Sequence, residues 1–178
     1  TKYFLFTQAD IFIDEKSISY LRKAFGYQNN LIFTGPSFSK KRKKGFQIKN
    51  KLNAACMLCN TERTKKIGFF DEDFFLYWED VFLMRKINLS KFKMLQTNNA
   101  IARHPSGASS INNMKVQFIR NLNFKYGEYI FDLKINKFRF IKLFRQFFQS
   151  LIFFIIGSLL LRKNFAIKNI AIFFGILK

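Results

Sequence analysis

From Leu133 to Lys178 the chain carries nine Lys or Arg and no Asp or Glu, interleaved with two nearly pure hydrocarbon runs, LIFFIIGSLLL at 151–161 and IAIFFGIL at 170–177. Runs of this kind must be covered by lipid or by protein. A spanning helix needs roughly 20 apolar residues. The first run has 11, or about 15 counted from Phe147 through one Gln-Ser break, and reads as too short to span. Apolar faces rimmed by Lys142, Arg145, Arg162, Lys163 and Lys168 fit helices lying in the interface of an anionic membrane, where each basic group contributes about 1 kcal/mol. The other reading is a hydrophobic hairpin packed on the domain or on a partner. The pattern divides the chain into a domain over 1–132 and a basic, apolar helical tail over 133–178.

The whole chain, 178 residues with 49% apolar composition, suffices for a real core. The balance of 31 Lys+Arg against 11 Asp+Glu, a formal charge of +20, favours polyanionic partners: nucleic acid, phosphorylated substrates or anionic lipid. Part of that balance is compositional drift, since Lys, Asn, Ile and Phe (26 Phe) are abundant together. The chain opens on Thr and runs straight into Tyr3-Phe4-Leu5-Phe6, with no charged n-region or cleavage site; the expectation is that an N-terminal portion of a parent protein is missing. Cys56 and Cys59 form a C-x-x-C pair, but with one His in the chain and no second Cys pair a zinc set cannot be completed. The flanking Ala-Ala and Met-Leu favour plain core residues over a redox pair.

Residues 2–6 read as a buried strand. Asp14 stands at the N-cap of a helix carrying Ile18, Leu21 and Phe25, stopped by Gly26. Residues 27–53, with GPS at 35–37 and the basic run Lys40 to Lys44, read as an exposed loop. That run reads as a solvated charge cluster, with nuclear targeting or phosphate contact as sharper readings. Residues 54–59 give a second buried strand. From Glu79 the spacing of Leu83, Met84 and Ile87 predicts a helix, followed by two short strands near 92–97 and 99–103, then His104-Pro105 and the turn SGASS. A further helix pattern runs through Met114, Phe118, Ile119 and Leu122.

The stretch GFFDEDFFLYWEDVFLMR, residues 68–85, gathers five of the eleven acidic residues among aromatics. Glu79 and Asp80 would lie in the first turn of a helix, where the macrodipole favours negative charge, so capping is the plain account of the pair. Beside Tyr77 and Trp78, however, a carboxylate meets apolar rings that restrict water and raise its proton affinity. That environment suits a general base, and an aromatic wall offers a surface for a sugar ring. Acid clusters in basic proteins also serve as internal salt-bridge partners.

This segment resembles the signature GGFDE-x-FF-x-Y-x-ED-x-DL-x-x-R of family 2 glycosyltransferases, in particular the rhamnosyltransferase-like branch. Upstream, NAACMLCNTERTKKIG is similar to the family's small-residue strand and the helix before the Gly, and TQADIFIDEKSISYL resembles its NPD turn and following helix. Downstream, AIARHPSGASS is similar to its strand ending in His. The resemblance covers about residues 3–110. It implies an α/β fold, a GT-A-like doubly wound mixed sheet lacking its N-terminal βαβ portion and followed by amphipathic or hydrophobic C-terminal helices. It implies Asp80 as the general base, Glu79 orienting it or contacting the acceptor, and Trp78, Tyr77, Asp71 and Arg85 binding substrate. Asp10 would stand at the position of a Mg²⁺ or Mn²⁺ ion gripping the donor diphosphate, with His104 approaching the same diphosphate or metal.

The function so implied is an inverting glycosyltransferase, or the C-terminal part of one. It would move a sugar such as rhamnose from a nucleotide-diphosphate sugar to a lipid-linked saccharide, at the cytoplasmic face of the bacterial inner membrane, peripherally or monotopically. The runner-up is a non-catalytic membrane-bound subunit that keeps the fold. A nucleic-acid-binding module is disfavoured, because it wants basic and aromatic residues on one face, whereas here the aromatics cluster with acids that repel phosphate.

Overall fold

The computed structural model describes residues 1–39, 45–104 and 113–178. The basic run Lys40 to Lys44, Pro105 and the SGASS turn lie outside the described residues. The chain forms a mixed α/β protein in two compact units, one made of Thr1–Phe70 and Asp80–Ser109, the other of Asp71–Glu79 and Ser110–Lys178.

The first unit is built on a six-stranded mixed sheet. Its strands are β1 (Tyr3–Thr7), β2 (Phe12–Ile13), β3 (Leu31–Ser37), β4 (Phe46–Lys49), β5 (Cys56–Asn60) and β6 (Lys93–Arg103). The order is β1-β5-β3-β6-β2, with β4 also on β6, and every pairing is antiparallel except β3 with β6. Period-2 alternation sends Phe4 and Phe6 of β1, Met57 and Cys59 of β5, and Met94 of β6 into one core, and Tyr3, Leu5, Leu58 and Leu95 into the other. Helix α1 (Glu15–Ala24) covers the second core with Leu21, Ala24 and the following Phe25, while α3 (Glu79–Asn88) covers the first with Leu83, Met84 and Ile87. Both faces of the sheet are therefore closed, which is what a parallel pair at its centre requires.

The expected N-cap at Asp14 is present: its carboxylate accepts from the Ser17 N–H at 2.6 Å. Helix α2 (Thr61–Ile67) starts on Asn60, whose side chain accepts from the Arg63 N–H, and ends on Gly68 at φ +70°. Cys56 and Cys59 are buried and unbridged. Burial pushes the Cys59 thiol up to about 12 and raises that of Cys56 too, so both are inert core groups.

Two elements differ from the sequence reading. Residues 27–53 are not a loop: β3 lies within them, fully buried along its length and central in the sheet, and β4 follows. Gly35-Pro36 carried a turn signal, but here it sits inside the strand, Gly35 against the Leu52 side chain and Pro36 in register with Thr97. The two short strands expected over 92–103 are one strand, β6. Their apparent break is a register shift, because Pro36 pairs with Thr97 while Ser37 pairs with Ile101, and such a bulge bends a strand without ending it.

The second unit is helical: α4 (Met114–Lys134), α5 (Phe140–Leu159) and α6 (Lys163–Leu177). Helix α6 packs on both α4 and α5. Gly175 permits the first contact, since a Cβ there would stand 2.6 Å from the Leu122 carbonyl oxygen. A four-membered ion network ties α4 to α5. Lys125 donates to Glu128 at 2.8 Å, and Lys142 donates to Glu128 at 2.9 Å and to Asp132 at 3.0 Å. Helix α5 extends upstream of the LIFF run to 20 residues, which makes it, among the described residues, one helix long and apolar enough to cross a membrane by length and composition.

Candidate active site

Asp10 follows β1 through a turn closed by the Ile11 N–H on the Gln8 carbonyl at 3.2 Å. Strand β2 then pairs Phe12 with Arg103 and Ile13 with Ala102 at the end of β6. That register lays the residues just outside it side by side. The His104 Nε2 stands 3.1 Å from the Asp10 Oδ2, across 94 positions of sequence. Both are partly open to solvent, His104 at 36% and Asp10 at 24% of the side chain.

Asp80 and Arg85 belong to the same unit through α3. This helix returns through residues 89–92 into β6, the strand whose carboxyl end leads to His104. Open α/β sheets hold ligands at the carboxyl ends of their strands. Asp80 is half-buried in the first turn. Among the described residues its carboxylate makes no hydrogen bond or ion pair, and the Arg85 guanidinium, also half-buried, makes none either. A carboxylate held only by the positive end of a helix keeps both oxygens available to a substrate hydroxyl.

Asp71, Tyr77, Trp78 and Glu79 belong to the helical unit. Tyr77 and Trp78 both adopt left-handed backbone, at φ 69° and 71°. For residues with a Cβ this conformation costs roughly 1–2 kcal/mol each and persists only where surroundings impose it. Helix α4 imposes it. The Tyr77 hydroxyl accepts from the Arg120 Nε at 2.7 Å, and the Trp78 Nε1 donates to the Phe124 carbonyl at 3.0 Å. The indole packs on the rings of Phe124 and Phe131, with centroids 5.5 and 5.1 Å away. Gly127 makes room for it: a Cβ at that position would stand 2.9 Å from the Trp78 Cδ1. Asp71 and Asp73 share the Lys134 ammonium at 3.0 and 2.6 Å. In this part of the motif the acids are salt-bridge partners and the rings pack on a helix.

Of the expected site residues, Asp10 and His104 are in direct contact, and Asp80 and Arg85 lie on the helix that leads into the same strand. Sequence reasoning missed Arg120 and Gly127, although a glycine inside a helical pattern is a signal of close approach. Among the described residues no group of three or more His, Cys, Asp or Glu comes together. One carboxylate and one imidazole still fit a divalent cation bound to a diphosphate, because such an ion takes only one or two protein ligands and fills its shell with phosphate oxygens and water. The imidazole nitrogen suits Mn²⁺ better than Mg²⁺.

Compared with protein-family models, with curated proteins and with solved structures, the chain matches none of them.

Proposed function

We propose that this chain is an inverting, GT-A-like glycosyltransferase that moves a sugar, such as rhamnose, from a nucleotide-diphosphate sugar to a lipid-linked saccharide at the cytoplasmic face of a bacterial inner membrane. The observation that carries the reading is the Asp10–His104 contact of 3.1 Å at the end of β6, an acid and an imidazole paired by the β2–β6 register beside the carboxyl end of a parallel strand pair. Asp10 and His104 would hold Mg²⁺ or, better, Mn²⁺. When bound, the ion supplies positive charge to the departing diphosphate.

The chain's own groups divide the remaining work. Asp80 accepts the proton of the acceptor hydroxyl as its oxygen forms a bond to the anomeric carbon. The bond from that carbon to the diphosphate oxygen breaks on the opposite face, its electron pair leaving with the diphosphate. One displacement with one base gives inversion, and no second carboxylate attacks the sugar. Arg85, one turn along α3 and without an ion-pair partner among the described residues, is available to phosphate oxygens. Glu79 adjoins the base in sequence and would orient the acceptor.

The test is transfer of radiolabel from a panel of nucleotide-diphosphate sugars, deoxysugars included, to a bacterial lipid extract with Mn²⁺ present. Asp80→Asn is expected to lower the rate by about 10² to 10⁴-fold, the usual worth of a positioned base, and Asp10→Asn to raise the Mn²⁺ concentration required. Equal rates for wild type and Asp80→Asn remove Asp80 from the mechanism. No transfer from any donor favours a non-catalytic subunit.

A further inference from the structure

We propose that the open cavity between α4, α5 and α6 binds the polyhydroxyl, phosphate-bearing headgroup of an anionic membrane lipid. The proposal rests on the reading of the helical unit as membrane-lying, and it concerns a site distinct from Asp80 and Asp10.

The cavity measures about 590 Å³, within the range of small-ligand sites. Its floor is polar although the helices around it are apolar: Lys125, Ser150 and Asn169 are 7%, 3% and 6% exposed. Buried polar groups in such surroundings are costly unless paired. Lys125 is paired, to the Glu128 carboxylate and, at 2.6 Å, to the Gln146 Oε1. That bond turns the Gln146 amide nitrogen, with its two donors, to other partners. Ser150 donates to the Phe147 carbonyl and Asn169 to that of Phe165, which leaves the Ser150 hydroxyl oxygen and the Asn169 carbonyl oxygen as acceptors. At the rim, Gln149 and Lys168 are exposed and make no side-chain hydrogen bond among the described residues.

This inventory discriminates between ligand classes. A bare phosphate is all acceptor and would face the Asn169 and Ser150 oxygens unfavourably. A hydroxyl is donor and acceptor at once, so a diol matches the mixed set on floor and wall. Phosphate then fits at the mouth, beside the Lys168 ammonium. The Glu128 carboxylate also borders the cavity, but Lys125 and Lys142 neutralise it. The source of such a ligand is indicated by the outside of the same helices, where Phe148, Ile152, Ile155 and Ile156 of α5 are 44%, 52%, 50% and 41% exposed. That apolar face suits acyl chains, and the unit's surplus of basic residues attracts anionic lipid.

The full chain is tested by flotation with phosphatidylcholine vesicles carrying equal mole fractions of either phosphatidylglycerol, which has a diol, or phosphatidylserine, which has the same net charge without one. Binding to phosphatidylglycerol is expected to be about tenfold tighter, the worth of one or two net hydrogen bonds. Asn169→Leu and, at the exposed rim, Gln149→Leu are each expected to reduce that preference while leaving binding to phosphatidylserine intact, which also reports that the variant is folded. Equal binding of the wild type to both vesicles overturns headgroup recognition and leaves the membrane reading standing. Binding to neither overturns both. A preference that survives both substitutions assigns recognition elsewhere and overturns the cavity. Equally tight binding of free glycerol phosphate in solution assigns the site to a soluble ligand and overturns the lipid.

Discussion

In the sheet unit the side chains shut away from water include Leu31, Ile32, Phe33, Met57, Ile87 and Leu95, whereas in the helical unit they include Asn123, Lys125, Ser150 and Asn169. The sheet unit also buries Ser17, Thr34, Ser37, Asn60, Thr64, Thr97 and Asn98, but beside a larger apolar core and each hydrogen-bonded: the Thr34 and Thr64 hydroxyls, for instance, donate to the Leu21 and Asn60 carbonyls. Exposure runs the other way. In the sheet unit Phe12, Tyr27, Phe46, Ile48, Phe69 and Leu89 are exposed, spread over several elements as on any soluble surface. Helix α5 exposes Ile141, Phe144, Phe148, Ile152, Ile155 and Leu159, spaced three or four apart along one face. A continuous apolar stripe marks a contact surface. The sheet unit sets its buried polar groups beside a large apolar core; the helical unit buries few apolar side chains, Phe74, Ala166 and Ala171, and offers hydrocarbon outside.

The largest expected contrast comes from truncating one apolar residue of each kind. Phe33→Ala empties a site 1% exposed in the sheet core, and is expected to cost about 3–5 kcal/mol in denaturant unfolding. Ile152→Ala, on the open face of α5, is expected to change unfolding by less than about 0.5 kcal/mol and to weaken vesicle flotation instead. Comparable destabilisation by both substitutions would mean that the α5 face is covered by protein, and the contrast between the units would fail.

A smaller effect is expected at the ion network. Glu128→Gln removes the charge that Lys125 and Lys142 share, with Lys125 only 9% exposed at the side chain. The expected cost is about 2 kcal/mol, below the full loss of a buried partner because glutamine still accepts a hydrogen bond. The pH dependence has a definite sign. Burial pushes the Glu128 carboxyl up, but the hydrogen bonds and charges of Lys125 and Lys142 outweigh it and hold the group below its ordinary value of 4.5. A lowered value in the folded protein means that its stabilising contribution is complete above about pH 4.5 and disappears as pH falls through the lowered value. Acid titration of unfolding should therefore show a loss in the wild type that Glu128→Gln lacks. Parallel curves would show that the network contributes nothing through ionisation.

How much of this was legible beforehand depended on whether the signal was local. The Asp14 cap, the stop of α1 at Gly26, and the α3 face of Leu83, Met84 and Ile87 are properties of a few consecutive residues, and the sequence reading and the structure agree on them. Strand β3 was hidden because Gly35-Pro36 is a local turn signal, overridden by burial between two neighbours distant in sequence, β5 and β6. The Asp10–His104 pair follows from a register between β2 and β6, which no local pattern encodes; it was expected only through resemblance. The helical cavity left no trace at all, since isolated Ser150 and Asn169 within apolar runs look like interruptions until three helices enclose them.

The smallest expected effect sharpens the comparison at the segment where the chain passes from one unit to the other in sequence. Gly127→Ala on α4 gains about 1 kcal/mol of helix propensity, which would ordinarily stabilise. Here the new methyl would meet the Trp78 Cδ1 at 2.9 Å and the Tyr77 carbonyl oxygen at 3.1 Å, and neither can retreat easily from a backbone already held left-handed. Overpacking of this kind costs about 1–3 kcal/mol, so the net expectation is a loss of about 1 kcal/mol. Trp78 is the one tryptophan of the chain, and its emission should shift to the red as the indole leaves Phe124 and Phe131. A gain in stability with unchanged emission would show that the indole yields to a methyl group without cost. The left-handed pair at Tyr77 and Trp78 would then be a pliable turn, rather than a strained one braced by α4.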